Sequence, residues 1–255
     1  WIARFKRLSI LLWGQGLGPL QGRFSRFLVK QTLSGVSAVS WRDPGSMGLA
    51  QRWGLDIPMV MGPDPVWRHP SPPWMGGNRL ILCWRPTPLL DIKGWSVLLD
   101  AVDRFSSSGC AEVIWLAFHV DQDASLWNEL RSLDLIPEGL CRRSLQMQAE
   151  SLQQVQSLFS ESALVIAMRL HALILAATAG CPTAALSYDP KVKAAAQLAD
   201  LPWVDLNDAL NADQLNQQWQ SAMTAQPDGS QIEQLKRDAQ LHETMLVGEL
   251  QKLSV

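Results

Sequence analysis

Residues 163–191 read ALVIAMRLHALILAATAGCPTAALSYDPK. An apolar run (163–168) stops at Arg169, an Ala- and Leu-rich stretch of helical length follows to residue 179, and a second apolar run (182–187) stops at Tyr188-Asp189-Pro190-Lys191. Runs of about six apolar residues are the length of strands buried on both faces, and the stretch between them is long enough for a crossover helix. Strand, helix and strand in that order are the sequence form of a parallel sheet, so the fold class is α/β.

The same alternation extends outward. Downstream, Pro190 suits the first turn of a helix reaching about residue 200. Residues 232–253 are polar, charged and free of Gly and Pro apart from Gly248, and they read as one long surface helix. Upstream, the pattern predicts strands at 79–84 and 112–118 and helices at 92–106, about 125–133 and about 149–159. Before these, Pro63, Pro65, Pro70, Pro72, Pro73, Gly76 and Gly77 forbid a continuous helix or central strand, which marks a domain boundary. An earlier series predicts strands at 8–13, 36–41 and 58–61 and helices at 21–32 and 46–54. The expected organisation is two Rossmann-like domains facing a cleft, residues 1–70 and 71–228, followed by a C-terminal helix at 229–255. Ligands of such sheets bind beyond the C-terminal ends of the strands.

Composition narrows the function. A chain of 255 residues with 47% apolar content can bury a substantial core. Its 22 basic and 24 acidic residues nearly cancel, leaving no excess to attract nucleic acid. Cys83, Cys110, Cys141 and Cys181 lie in apolar segments without CxxC spacing, which suits reduced, buried thiols in a cytoplasmic protein and leaves no expectation of a structural metal. No apolar run approaches the roughly 20 residues of a membrane-spanning helix.

Arg169 and His171 interrupt a long apolar stretch at a strand's C-terminal end, beside a helix N-terminus that attracts phosphate or carboxylate. Arg169 supplies bidentate donors for such an anion, and His171 is placed to exchange protons near neutral pH. Lys191 repeats the geometry one β-unit later and is expected to reach the same anion, with Tyr188, the only tyrosine, beside it. Gly14-Gln15-Gly16-Leu17-Gly18-Pro19 resembles a dinucleotide loop, but Pro19 stands where close helix packing needs Gly or Ala, which argues against NAD or FAD. The glycines at 14, 16 and 18 then either expose backbone N–H groups to a ligand or form a structural turn. Arg42 is open to two readings, a second anion clamp or a surface ion pair. Asp64 and Arg85 also sit at strand ends and are weaker binding candidates. His69, His119 and His242 have no partner at metal or triad spacing. The 12 tryptophans read as core, with Trp13, Trp41 and Trp84 close enough to candidate loops to stack on a sugar.

Taken in order, Gly14–Pro19, Arg42-Asp43, Asp64-Pro65, Met168-Arg169-Leu170-His171-Ala172-Leu173-Ile174 and Ser187-Tyr188-Asp189-Pro190-Lys191-Val192 resemble the polysaccharide pyruvyl transferases of the CsaB type. The resemblance runs from about residue 9 to 200. It implies a two-domain, glycosyltransferase-B-like fold and an enzyme that uses phosphoenolpyruvate as co-substrate, without a bound cofactor, to form pyruvate ketals on cell-surface glycans. The implied partners are phosphoenolpyruvate and a sugar or lipid-linked glycan acceptor, in the cytoplasm or peripherally at the cytoplasmic face of the membrane. Arg169, His171 and Lys191 would carry the chemistry, and Arg42, Asp64, Arg85, Tyr188 and the three glycines would bind substrate. The family opens with a strand and a Gly-rich loop bearing Asn and Asp, so the N-terminal domain is expected to be incomplete. The rival readings are a sugar-nucleotide glycosyltransferase of the same architecture and a non-catalytic anion-binding fragment.

Overall fold

The computed structural model describes residues 2–6, 8–18, 20, 22–110 and 112–253. The chain falls into two units, Trp1–Arg68 with Glu233–Val255, and His69–Ile232. The division after Arg68 lies inside the Pro-rich stretch, where missing N–H donors prevent a ladder or helix from continuing.

The first unit contains α1 (Ile2–Phe5), β1 (Leu11–Gln15), α2 (Arg23–Leu33), β2 (Ala38–Trp41), α3 (Pro44–Arg52), β3 (Met59–Met61) and a 3₁₀ turn (Pro65–Arg68). Among the described residues its strands form a parallel sheet in the order β1-β2-β3. Leu33, Val39, Trp41, Ala50 and Leu55 fill its core. The strand expected at 8–13 is displaced to 11–15, because Gly14 continues it as a bulge instead of ending it. The register passes from Leu12 opposite Val39 to Gln15 opposite Trp41, which leaves one extra residue on β1. Gly14 takes φ +59°, and a Cβ there would stand 2.5 Å from Pro65 Cγ, so only glycine fits. Helix α3 starts at Pro44 rather than 46, because Asp43 accepts the Ser46 N–H at 2.7 Å as N-cap and Pro44 suits the first turn. Pro19 and Gln21 lie outside the described residues.

The second unit contains β4 (Arg79–Cys83), α4 (Ile92–Gly109), β5 (Glu112–Ala117), α5 (Val120–Asp123), α6 (Leu126–Ser132), α7 (Glu138–Arg143), β6 (Ser144–Gln148), α8 (Leu152–Ser160), β7 (Leu164–Ala167), α9 (Leu170–Ala179), β8 (Thr183–Ser187), α10 (Pro190–Leu198), β9 (Trp203–Asp205) and α11 (Ala212–Thr224). Among the described residues the strands form one parallel sheet in the order β6-β5-β4-β7-β8-β9. Strands β4, β7 and β8 lie inside it, and Leu80–Cys83, Leu164–Ala167 and Thr183–Ser187 are buried throughout. The edge strands β6 and β9 escape the sequence pattern, being short, partly exposed and only half apolar. The helix expected from about 149 accordingly begins at Leu152, where the Ser151 hydroxyl accepts the Gln154 N–H at 3.1 Å.

Helix α12 (Gly229–Leu253) corrects the reading of the tail as a surface helix. Ile232, Leu235, Ala239 and His242, spaced at three and four residues, are buried, and from Glu233 onward the helix groups with the first unit. The stripe went unnoticed because Ala and His carry little hydrophobic signal. His242 Nε2–H donates to the Pro63 carbonyl at 2.7 Å, which gives this histidine a structural place.

Gly77 tests how tightly the second unit is packed. A Cβ at this position would lie 1.8 Å from the Glu161 carbonyl oxygen and 3.0 Å from Ser162 N, both backbone atoms at the entry to β7. Gly77→Ala is therefore expected to destabilise the protein by about 3 kcal/mol, through displaced backbone rather than a lost contact. Urea unfolding measures it; a change below about 0.5 kcal/mol would show that the segment adapts freely.

Candidate functional site

The site is built on the C-terminal ends of neighbouring strands in the second unit. Strand β7 carries Arg169 as the N-cap residue of α9, with His171 exposed in the second helical position. Strand β8 leads to Asp189, which caps α10 by accepting the Lys191 N–H at 2.8 Å, and Lys191 takes the second position of that helix. His171 and Lys191 thus occupy equivalent places on two helices that leave adjacent strands. From the end of β4, on the other side of β7, Arg85 reaches Tyr188. Its Nη1 donates to the Tyr188 hydroxyl at 3.3 Å, and the guanidinium lies 5.0 Å from the centre of the ring. This contact joins the loops after β4 and β8 across the end of β7, where Arg169 begins its helix.

Arg169 differs from the expected open anion clamp. Its Nε donates to both carboxylate oxygens of Asp123 at 3.1 Å, its Nη2 also meets Asp123, and Nη2 donates to Gln122 Oε1 at 3.0 Å. The Asp123 side chain is fully buried and that of Arg169 only 14% exposed. A second tie fixes the carboxylate, since Asp123 Oδ2 accepts the His119 N–H at 2.8 Å. The guanidinium is thus held in one orientation, but Asp123 neutralises much of its charge. Around the β7 end, the charges of Arg85, Arg169 and Lys191 exceed those of Asp123 and Asp189 by one. Two helix N-termini add partial positive charge. Asp123 and Gln122 were missed in the sequence. They follow the strand at 112–118, the kind of strand end where site residues are sought, but α5 is a single turn with no apolar periodicity.

The candidates in the first unit satisfy one another. Arg42, read as an anion clamp or a surface ion pair, meets Asp64: its Nη1 lies 2.9 Å from Asp64 Oδ2, and with the Asp64 side chain 8% exposed the pair is partly buried rather than at the surface. Asp64 Oδ1 also accepts the Val66 N–H at 3.0 Å. In the glycine loop, the Gly14 N–H donates to Ser40 Oγ at 2.8 Å, and Leu17 N–H donates to Ser46 Oγ at 2.6 Å. Gly16 packs against Arg42, where a Cβ would meet Nε at 3.1 Å, and Gly18 turns the chain at φ +123°. Serine hydroxyls and Asp43 therefore organise this loop, which favours the structural turn among its two readings.

A cavity of about 410 Å³ opens beside the Arg169–Asp123 pair, at the C-terminal ends of β4, β5 and β6. A larger groove of about 910 Å³ runs along β9 and α11 and contains none of the candidate residues. Among the described residues, no group of three or more His, Cys, Asp or Glu is placed to hold a metal ion, and no helix is long and apolar enough to cross a membrane. Cys83, Cys110 and Cys181 are buried thiols and Cys141 is half-buried. Burial pushes the Cys83 thiol well above its usual range, with the Asp123 carboxylate adding to the shift and Arg169 opposing it. Burial pushes Cys110 up to about 11, against the pull of Arg143. Neither thiol supplies a nucleophile near neutral pH.

A model of the polysaccharide pyruvyl transferase family matches residues 1–190. No curated protein matches the sequence. Among solved structures, the chain is similar to Anabaena Alr3699/HepE, crystallised in complex with UDP and glucose, at 14% identity over 99% of this chain and 73% of that one, with a TM-score of 0.58. It is also similar to a Listeria monocytogenes protein described as a UDP-N-acetylglucosamine 2-epimerase, at 13% identity over 99% and 70%, TM-score 0.63. A third is the α,α-trehalose 6-phosphate synthase of Burkholderia multivorans, at 11% identity over 97% and 66%, TM-score 0.59. At these identities the likeness is one of fold, the α/β architecture of glycosyltransferase-B proteins.

Proposed function

Because the chain belongs to the polysaccharide pyruvyl transferase family, we propose that it transfers the pyruvyl group of phosphoenolpyruvate to a sugar of a cell-surface glycan or its precursor, acting in the cytoplasm or at the cytoplasmic face of the membrane. The observation that carries this reading is the gathering of Arg85, Arg169, His171, Tyr188 and Lys191 around the end of β7, joined by the Arg85–Tyr188 contact. Phosphoenolpyruvate presents a phosphate and a carboxylate. Lys191 and Arg85 supply charge for them, Arg169 supplies oriented donors, and the N-terminus of α9, which no side chain caps, supplies N–H groups.

The proposed reaction needs no bound cofactor. A protonated His171 gives its proton to the donor's methylene carbon, which becomes a methyl group, and positive charge develops at the adjacent carbon. A sugar hydroxyl adds its oxygen to that carbon and passes its proton to His171, which restores the imidazolium. The bond from that carbon to the phosphate oxygen then breaks, inorganic phosphate leaves with the bonding electrons, and a second hydroxyl of the same sugar takes its place and gives its proton to the phosphate, which closes the ketal. Lys191 balances the phosphate as it departs.

Calorimetry tests the donor. Phosphoenolpyruvate is expected to bind with a dissociation constant between micromolar and millimolar, and Lys191→Ala, on the surface turn of α10, to weaken it by about tenfold or more. Binding of UDP-glucose in preference to phosphoenolpyruvate would transfer the site to the glycosyltransferase reading. Binding without phosphate release in the presence of any acceptor would favour an anion-binding module.

A further inference from the structure

The 410 Å³ cavity belongs to none of the residues that would hold phosphoenolpyruvate, and its lining differs from theirs in kind. Trp84, Trp115 and Trp127 lie at its base, with Trp115 packed edge-to-face against both others at ring separations of 5.6 and 5.0 Å. These rings are at least nine-tenths buried and form a rigid wall. The mouth is polar: Gln146 and Gln148 come from edge strand β6, Glu150 from the turn after it, and Gln154 from α8. Gln146 and Gln148 stand on the same face of β6, with Gln146 opposite Trp115 and Gln148 opposite Ala117. Of this set, Gln154 Oε1 is engaged, accepting the Glu150 N–H at 3.0 Å. Among the described residues no side-chain hydrogen bond engages Gln146 or Gln148, and both are exposed.

Charge decides which ligand suits this cavity. Its lining includes Asp123, already paired with Arg169, and Glu150 but no Lys, Arg or His, so it offers no charge to hold a phosphate or carboxylate. Amide side chains, each offering both donors and an acceptor, match the paired donor and acceptor character of sugar hydroxyls, and an aromatic wall suits the apolar face of a pyranose ring. The volume falls in the range of small-molecule sites. The position is as telling as the lining, because Asp123 lines the cavity and also holds Arg169. A molecule in the cavity would therefore end one carboxylate away from the guanidinium at the donor site.

We propose that this cavity is the acceptor subsite and takes one uncharged pyranose ring of the glycan. The proposal rests on the pyruvyl transferase reading for its meaning, but the binding it requires is measurable separately. Trp115 and Trp127 provide the signal: intrinsic fluorescence is titrated with the methyl glycosides of galactose, glucose, mannose and N-acetylglucosamine, and with UMP. At least one glycoside is expected to change the emission saturably in the millimolar range, with UMP neither binding nor competing. Gln148→Ala and Glu150→Ala, both exposed on the mouth, are expected to weaken that glycoside by about three- to tenfold. Gln217→Ala, in the larger groove, and the affinity for phosphoenolpyruvate should stay unchanged. No saturable response to any glycoside up to about 100 mM, competition by UMP, or equal weakening by Gln217→Ala would overturn the assignment. Phosphoenolpyruvate is measured in the same samples. If it binds while no glycoside does, the cavity assignment fails alone; if a glycoside obeys the mouth variants while phosphoenolpyruvate does not bind, the pyruvyl transfer reading fails and the sugar site stands.

Discussion

Arg169→Ala is expected to abolish turnover and to lower the melting temperature by roughly 10 °C, since breaking a buried ion pair costs about 3–5 kcal/mol. Much of that cost falls on the partner left behind. The Asp123 side chain is fully buried, and without the guanidinium the His119 N–H is the polar tie left to it among the described residues. Arg169 therefore neutralises an interior carboxylate in addition to the contact with the donor substrate proposed for it. Combining Arg169→Ala with Asp123→Asn separates them: removing the orphaned charge should restore about half of the lost stability, while turnover stays absent. Thermal unfolding and phosphate release on the single and double variants decide the matter. A single variant that melts within about 1 °C of the wild type would show that the ion pair contributes little to the fold. One that keeps its turnover would remove Arg169 from the site.

His171→Ala should behave in the opposite way. The residue is exposed on the first turn of α9, so stability is expected to change by no more than about 0.5 kcal/mol. Turnover is expected to fall by about 10²–10⁴, the usual contribution of a positioned proton carrier. The loss should appear in kcat with the affinity for phosphoenolpyruvate retained, because the donor's anionic groups are assigned to Arg85, Arg169 and Lys191. Near-normal turnover in His171→Ala would assign the proton to another group, and a collapse of affinity instead of rate would make His171 a binding residue.

The contrast between these variants follows from where the sequence was readable. Strands β4, β7 and β8 are buried on both faces, so they had to be continuous apolar runs, and their ends were marked by the first polar residues after them, Arg85, Arg169 and Tyr188. Edge strands β6 and β9 bear no such requirement. SLQMQ and WVD carry too little apolar signal to be told from loop, and with β6 went the mouth of the cavity. The buried stripe of α12 was hidden for a related reason, since Ala239 and His242 are buried by packing rather than by hydrophobicity.

By itself the sequence determined the α/β class, the break in the Pro-rich stretch, the family, and the placing of Arg169, His171 and Lys191 at strand ends, because each of these depends on local periodicity or on residues adjacent in the chain. The tertiary structure alone decided who is paired with whom. Asp123 lies 46 residues from Arg169, Asp64 lies 22 from Arg42, and Tyr188 lies 103 from Arg85, and nothing local encodes those meetings. Electrostatic and hydrogen-bond energies depend on separations of a few ångströms, and those are set by sheet order and loop packing rather than by the spacing of residues along the chain.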